Sequence, residues 1–407
     1  MLRALSIPAL FLVAACSESG SLDTTGTPST PLDSASPPTD SAPPEQVGGV
    51  DEPAIGATFF DESTIPEFSL LIPDSSMEAL RVDPRTYVPA TFIHGDVVLE
   101  PVGVRTKGNG SWQAIDDKPS LKIKFDEYDE DLRYERMSEV TLNNMTSDSS
   151  MMHERIAYRV FRDMGVAASR AHHTWLLVNG EVYGLYTHIE SATKDLIKPW
   201  YDDSGTLWEF AGGEFEAAYI DGFAQKFGPD DRAPLEAAAV ALDGDGPFDM
   251  DLVERFIDLD DYLNFWAVSA WTAHYDGYPY RYPGDDAYTY YDPESKLLKF
   301  LPHGVDESFY YSDWLPQDNV ISRLGWKCLA TPECTARFYT RVHEVAAEAE
   351  ALDYGPYITE VRQQIAPLTV ADTKKLYSDG DVIYYQDFLA NMVANRRAQL
   401  EELVPVP

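Results

Sequence analysis

Carboxylates between residues 271 and 309 are the side chains best suited to chemistry in this sequence. They fall in three groups, which are Asp276, then Asp285 with Asp286, then Asp306 with Glu307. Carboxylates that converge in space bind hard cations such as Mg²⁺. The stretch therefore indicates either a magnesium site or, because the whole chain is acidic, a set of solvated loop acids.

The elements around these acids predict that they meet. Two short aromatic or aliphatic runs, 288–291 and 297–301, are joined by a polar connection that contains Pro293 and Ser295. Pro and Ser between two such runs predict a β-hairpin. A helix predicted over 258–274 delivers the first acid group at its end. The hairpin would gather the other two groups at its open ends.

A glycine-rich turn and a lysine-bearing strand precede this stretch. Gly108 and Gly110 flank Asn109, which allows close backbone approach to a ligand and leaves N–H groups that suit phosphate oxygens. A plain Gly-Asn hairpin turn is the commoner meaning of such a pattern. In the strand predicted at 121–125, apolar residues alternate with Lys122 and Lys124, so both lysines share one face.

The remaining elements give the fold class. Strands are predicted at 67–72, 98–104, 173–178 and 182–190, with a helix that opens on a Ser75–Glu78 capping box. Further helices are predicted at 148–164, 230–242, 333–351, 357–365 and 382–403. A strand-rich first part followed by a helix-rich second part with one internal hairpin predicts a bilobal α+β protein.

Composition excludes several classes of function. The formal net charge is −37, which leaves no basic surface for nucleic acid or for anionic membranes. No histidine pair has metal-site spacing beyond His172 and His173, whose side chains would face opposite ways on a strand. There is no Gly-x-Ser-x-Gly elbow either.

The N-terminus predicts export. Arg3, an apolar run and small residues before Cys16 form a signal of the secretory type, too short to span a membrane. It resembles the bacterial lipoprotein signal, in which the cysteine is lipidated, and Ser17 is compatible with outer-membrane sorting. Residues 17–50 are a Ser/Thr/Pro-rich flexible linker. Cys328 and Cys334 then form either a local disulfide or two free thiols.

The order of several motifs resembles the CotH-type spore-coat protein kinases. The motifs are 105–111, 118–125, 142–144, 148–150, 155–158, 178–181, 183–186, Glu190 and the acid-bearing stretch itself. The resemblance runs from about residue 60 to about residue 400. It implies an atypical protein-kinase-like domain over 51–407, with an N-lobe at about 51–200 and a C-lobe at about 201–407.

The resemblance also implies an activity, which is transfer of phosphate from ATP to Ser or Thr of secreted, coat or envelope proteins. By position, Asp276 would orient the acceptor hydroxyl, and Asp306 and Asp286 would hold Mg²⁺. The nucleotide would lie on Gly108, Asn109, Gly110, Lys122 or Lys124, and Glu190, the last beside the adenine. Phosphoryl transfer needs mainly positioning and charge neutralisation, which these residue types supply.

The sequence departs from the family pattern in three places. Asp286 stands where the family usually has Asn, and His153 where it has Arg. The usual Trp-Asp-x-Asp is here His303, Gly304, Val305 and Asp306, so one of the paired acids is missing. We hypothesise that Asp286 compensates for the acid that is absent at residue 304.

Glu154, on the helix predicted at 148–164, has two interpretations. It could pair with the phosphate-binding lysine, or it could be an ordinary exposed glutamate. The sequence leaves both open.

Three hypotheses about function follow. The first is a lipid-anchored, Mg²⁺-dependent protein kinase, and the second is a catalytically degenerate relative that serves as a coat or envelope scaffold. The third is a glycoside hydrolase, which needs two carboxyl groups roughly 5 to 9 Å apart across a cleft. ATP binding distinguishes the first from the second, and in the third the glycine-rich turn and lysine strand have no role.

Overall fold

A computed structural model describes residues 54–314 and 316–406. The predicted signal peptide with Cys16 and the linker at 17–50 lie outside the described residues and stay predictions. In the part that is described, none of the helices combines the length and the apolar character needed to cross a membrane.

The first part of the chain forms a closed barrel of seven strands. The strands are β1 (Glu67–Leu71), β2 (Val88–His94), β3 (Val97–Lys107), β4 (Ser120–Lys124), β5 (Glu139–Asn143), β6 (Ala171–Val178) and β7 (Glu181–Glu190). Their order is β1-β2-β3-β4-β5-β7-β6, and parallel pairing of β1 with β6 closes the barrel. In β4 the apolar residues are buried and the two lysines are partly exposed, so the period of two places both lysines outside.

Two helices accompany the barrel, and both begin differently from the predictions. Helix α1 (Asp74–Val82) follows Pro73 without a side-chain cap, and Glu78 pairs with Arg81, so the predicted capping box is wrong. Helix α2 (His153–Asp163) begins five residues later than predicted. Asp148 still serves its N-terminus, because its carboxylate accepts the His153 N–H at 2.7 Å.

The second part contains a four-stranded sheet in the order β11-β10-β8-β9. The strands are β8 (Thr206–Phe210), β9 (Phe223–Phe227), β10 (Ala287–Asp292) and β11 (Leu297–Pro302). The β10–β11 hairpin is confirmed, whereas the prediction of a single hairpin in this part is wrong, because β8 and β9 form another.

Helices make up most of the second part. They are α3 (Lys194–Ile197), α4 (Ala233–Ala241), α5 (Met250–Val253), α6 (Leu259–Thr272), α7 (Arg323–Ala330), α8 (Pro332–Leu352), α9 (Gly355–Ala371) and α10 (Asp379–Leu403). A disulfide between Cys328 and Cys334 joins α7 to α8. The α+β class, with strands first and helices later, is confirmed.

Helix α2 belongs to the core of the second part although it lies between barrel strands in sequence. Its buried apolar residues join the large cluster that contains α6, α8 and α10, and not the barrel interior. Phe161 contacts Phe265 with ring centroids 6.1 Å apart. The helix therefore places its polar first turn at the junction between the barrel and the helical part.

A buried ion pair joins the barrel to the helical part at a second point. The Lys118 ammonium lies 2.6 Å from the Asp372 carboxylate, and their side chains are 2% and 0% exposed. Asp372 also accepts the Leu185 N–H of β7 at 3.0 Å. At Gly184, where φ is +103°, a Cβ would lie 2.3 Å from that carboxylate, so the close approach requires glycine. Burial lowers the pKa of Lys118, although Asp372 acts to raise it.

Removal of this pair tests its structural role. Asp372→Ala leaves the Lys118 ammonium buried without a counter-ion, and we expect a loss of about 3–5 kcal/mol in the free energy of unfolding. Urea unfolding measures it. Asp387→Ala removes an exposed partner of Arg362 and is the control, with little expected change. Equal losses in the two variants would contradict the assigned role.

Candidate active site

A cleft of about 650 Å³ lies between the barrel and the second part. The sequence-predicted residues that line it are Gly108, Asn109, Gly110, Lys122, Lys124, Glu190, Asp276, Asp286 and Asp306. Acids that are distant in sequence thus meet opposite a lysine-bearing strand. The structure brings these residues together, while the role of each stays a prediction.

Four acids of the cleft, Glu154, Asp276, Asp286 and Asp306, are here called the acidic wall. The C-terminal end of α6 positions two of them. Buried Arg396 donates to the carbonyls of Ala270 and Trp271 at 2.6 and 2.8 Å. The next carbonyl, of Thr272, accepts the Phe309 N–H at 2.8 Å. The helix end is thereby satisfied from two directions. Asp276 follows this helix end and Asp306 shortly precedes residue 309, so the end of α6 positions both acids.

The hairpin brings Asp286 against Gly304. Ala287 and Pro302 are cross-strand partners, and the His303 N–H extends the ladder to the Asp286 carbonyl at 3.2 Å. Gly304 has φ of +56°, and a Cβ there would lie 2.3 Å from the Asp286 carboxyl carbon. The Asp286 carboxylate thus occupies the space of a side chain at 304. This geometry supports the hypothesis that Asp286 compensates for the missing acid.

Three carboxylates repel one another in this wall. Burial raises the pKa of Asp286, and the neighbouring Asp306 raises it further. Burial raises the pKa of Asp306 to about 6, against the opposing effect of Lys107. Burial and then Asp306 raise the pKa of Glu154. A cation placed between Asp286 and Asp306 would relieve this repulsion.

The Asp286 and Asp306 carboxylates fit a magnesium ion that takes its remaining ligands from water and a substrate. Among residues 54–314 and 316–406, no three His, Cys, Asp or Glu side chains are placed to hold a metal by themselves. Within the same residues, neither the Asp286 nor the Asp306 carboxylate is in an ion pair. Mg²⁺ is commonly held by one or two carboxylates, with water and phosphate oxygens as the other ligands.

Glu154 is held from the barrel side and not by a lysine. It is 2% exposed, so its interpretation as an ordinary surface residue is wrong. The Asn143 amide of β5 donates to both of its carboxylate oxygens at 3.1 and 2.9 Å. Asn143 therefore fixes this acid at the floor of the cleft.

The two predicted lysines are already paired. Lys122 lies 2.5 Å from Glu139, and Lys124 lies 2.8 Å from Glu127. Burial lowers the pKa of Lys122, although Glu139 acts to raise it. The charges of both ammonium groups are thus neutralised by carboxylates of the same part of the chain, on the outer face of the barrel.

Glu190 and Asp276 are also in ion pairs. Arg170 binds both carboxylate oxygens of Glu190 at 2.6 and 3.1 Å, so a contact with adenine would fall to the Glu190 backbone. Asp276 pairs with Arg281, which is half-exposed. An acceptor hydroxyl must therefore share Asp276 with this guanidinium.

The glycine-rich turn has one position that requires glycine for space. Gly108 has φ of +96°, and a Cβ there would lie 2.7 Å from the Ser111 hydroxyl. A Cβ at Gly110 would meet nothing within 4 Å. Arg85, which also lines the cleft, donates to the Gly108 carbonyl and holds the turn.

The sequence analysis missed four residues that line the cleft, namely Lys107, Asn143, Glu209 and Lys226, and it missed Arg281, the partner of Asp276. The alternation in β3 offered a signal for Lys107, because it lies on the same side of the strand as Arg105, which faces Lys122 across the sheet. Glu209 and Lys226 lie on β8 and β9, which were not predicted as strands.

Comparison with known proteins identifies relatives of this chain. The model of the CotH family, described as CotH kinase protein, matches residues 104–400, well over half of the chain. Invasin CotH7 of Rhizopus delemar is 23% identical over 260 residues, which cover 56% of this chain and 42% of the relative. This chain thus spans less than half the length of that relative.

Two solved structures are similar at low scores. The proinflammatory kinase CtkA of Helicobacter pylori has a TM-score of 0.31 and 10% identity, over 68% of this chain and 90% of that one. HipA with HipB and operator DNA, from Shewanella oneidensis, has a TM-score of 0.34 and 10% identity, over 84% and 75%. At these TM-scores neither similarity bears on function.

The contact between Asp286 and residue 304 can be tested without altering a charged group. We expect Gly304→Ala to displace the Asp286 carboxylate and to abolish the rise in melting temperature that millimolar Mg²⁺ gives the wild type. Gly95→Ala is the matched control, because Gly95 has φ of +55° and open space around it. Both substitutions carry the backbone strain of a left-handed alanine. An unchanged Mg²⁺ response in Gly304→Ala would count against the site.

Proposed function

The chain belongs to the CotH kinase family, and from this premise we propose that it is a Mg²⁺- and ATP-dependent protein kinase. Its acceptors are Ser or Thr residues of exported coat or envelope proteins. One observation carries the proposal, which is the meeting of Asp276, Asp286 and Asp306 in a single cleft opposite the lysines of the barrel.

The three acids have two tasks in phosphoryl transfer. Asp286 and Asp306 would hold Mg²⁺, which, when bound, neutralises the charge on the phosphate oxygens. Asp276 orients the acceptor hydroxyl, whose oxygen forms the new bond to the γ-phosphorus while the bond to the β-phosphate oxygen breaks. The hydroxyl proton passes to the Asp276 carboxylate. Arg281, already paired with Asp276, keeps that carboxylate in place.

The barrel contributes positioning. The turn at Gly108 can approach phosphate oxygens closely because it has no side chain there. Glu154 is anchored by Asn143, and its pKa is raised by burial and then by repulsion from Asp306. The site is thus arranged for a cationic metal and an anionic substrate together.

Export and a lipid anchor at Cys16 are part of the same proposal. The disulfide between Cys328 and Cys334 is consistent with an oxidising compartment. The linker would hold the kinase domain away from the envelope surface, with acceptors among neighbouring exported proteins.

A catalytically degenerate scaffold is the second candidate. The observation that favours it is the ion pair between Asp276 and Arg281, which occupies the carboxylate that catalysis needs. Nucleotide binding separates the two candidates. A scaffold of this kind would bind no ATP at millimolar concentration.

Phosphate incorporation into a generic Ser/Thr acceptor protein tests the proposed function. With ATP and Mg²⁺, we expect Asp306→Asn and Asp276→Asn each to lower the rate at least about 100-fold, because each removes a group that acts on the reacting atoms. Asp251→Asn, an exposed acid of α5, is the control and should retain the wild-type rate. An unchanged rate in Asp306→Asn would refute the assignment. Absence of both activity and ATP binding in the wild type would favour the scaffold.

A further inference from the structure

We propose that Lys107, and not Lys122 or Lys124, is the lysine that contacts the terminal phosphates of the nucleotide. The proposal rests on the proposed kinase function and adds to it a residue that sequence motifs did not assign. Three observations carry it, which are the position of Lys107 in the sheet, its lack of a partner, and the charges it faces.

Strand register places Lys107 in the row of the sheet closest to the acidic wall. A row is here the set of residues that face one another across adjacent strands. Lys107 of β3 faces Ser120 of β4. The Ser120 hydroxyl donates to the Asn143 side-chain oxygen at 2.9 Å, and the Asn143 amide holds Glu154. This row therefore ends at the floor of the cleft.

Lys122 lies one row further from Glu154, and its ammonium is paired with a carboxylate. It faces Arg105, two residues along each strand from the row of Lys107, which corresponds to roughly 6.6–6.8 Å. Its ammonium is held by Glu139, and Glu139 itself faces Lys124 in the next row outward. To reach the phosphates near the metal, Lys122 would have to leave a largely enclosed carboxylate unpaired.

Among the described residues, six cationic side chains line the cleft, and five of them have partners. Three are in ion pairs, which are Lys122 with Glu139, Lys124 with Glu127, and Lys226 with Glu209. Two donate to carbonyls, which are Arg85 to Gly108 and Arg105 to Thr106. Within residues 54–314 and 316–406, the Lys107 ammonium has neither an ion pair nor a hydrogen bond, although Lys107 lines the cleft. It alone among them is free to bind an anion.

Lys107 faces acids that include Asp306, one of the two proposed metal ligands. A triphosphate bound to that metal would lie near the lysine. Among neighbouring charges, Lys107 makes the largest contribution that favours ionised Asp306, and it also favours ionised Glu154. A lysine on one side and a metal-binding carboxylate on the other leave a place for phosphate oxygens between them. Gly108 follows directly, so the phosphates would meet the lysine and the glycine-rich turn together.

Calorimetric titration of the full chain with ATP, ADP and adenosine in the presence of Mg²⁺ tests the proposal. We expect Lys107→Ala to weaken ATP binding by about 10- to 100-fold, as for loss of a charge-assisted hydrogen bond. Adenosine has no phosphate, and its binding should not change. Lys107→Arg should restore most of the ATP affinity.

Two further variants make the comparison specific. The double variant Lys122→Met with Glu139→Gln removes the competing lysine without leaving its buried partner charged, and we expect a loss at least tenfold smaller than that of Lys107→Ala. Lys198→Ala, an exposed lysine outside the cleft, should bind ATP as the wild type does. Melting temperatures measured on the same samples check that each variant is folded.

The outcomes separate this inference from the proposed function. If wild-type protein binds ATP and the double variant loses it while Lys107→Ala does not, Lys122 is the phosphate lysine and the inference is overturned. Equal weakening of ATP and adenosine by Lys107→Ala would also overturn it, because such a loss reflects general loosening of the cleft. A wild type that binds no ATP would overturn the inference together with the proposed function.

Discussion

The buried carboxylates of the cleft repel one another, and the surrounding fold must hold them together against this repulsion. Glu154, Asp286 and Asp306 have raised pKa values, and each is raised by burial and by at least one other acid. Like charges in a poorly solvated place favour a neutral form or a bound cation. The surrounding fold keeps the acids together by contacts to the helix end that precedes Asp276 and to the Glu154 carboxylate itself. Arg396 at the end of α6 and Asn143 in β5 are the most direct examples.

The barrel and the helical part contribute opposite charges to the cleft. The chain carries 31 Lys and Arg against 68 Asp and Glu, yet six cationic side chains line this one cleft, five of them from the barrel and its loops. Carboxylates outnumber these cations in the lining, so an anionic substrate would depend on Lys107, which is unpaired among the described residues, and on a bound metal ion. The buried pair of Lys118 and Asp372 joins the barrel to the helical part at a second point, away from the cleft lining.

Local patterns predicted those features that depend on neighbours in sequence. The β10–β11 hairpin followed from two apolar runs and a polar turn, and the face shared by Lys122 and Lys124 followed from a period of two. Strand β9 was missed because FAQKF gains its strand partner β8 only through folding. The partners of the site residues were also out of reach. Arg170 for Glu190, Glu139 for Lys122 and Asp372 for Lys118 are set by strand register and helix docking, which sequence spacing does not encode.

The position of a divalent cation is the most direct test of the proposal that Asp286 and Asp306 hold a metal ion. Crystals of the full chain grown with Mn²⁺ and a non-hydrolysable ATP analogue would give an anomalous difference map at the manganese absorption edge. We expect a peak between the Asp286 and Asp306 carboxylates, at metal–ligand distance from both and in contact with phosphate oxygens of the analogue. A cleft that contains the analogue but no peak between those two carboxylates would contradict it.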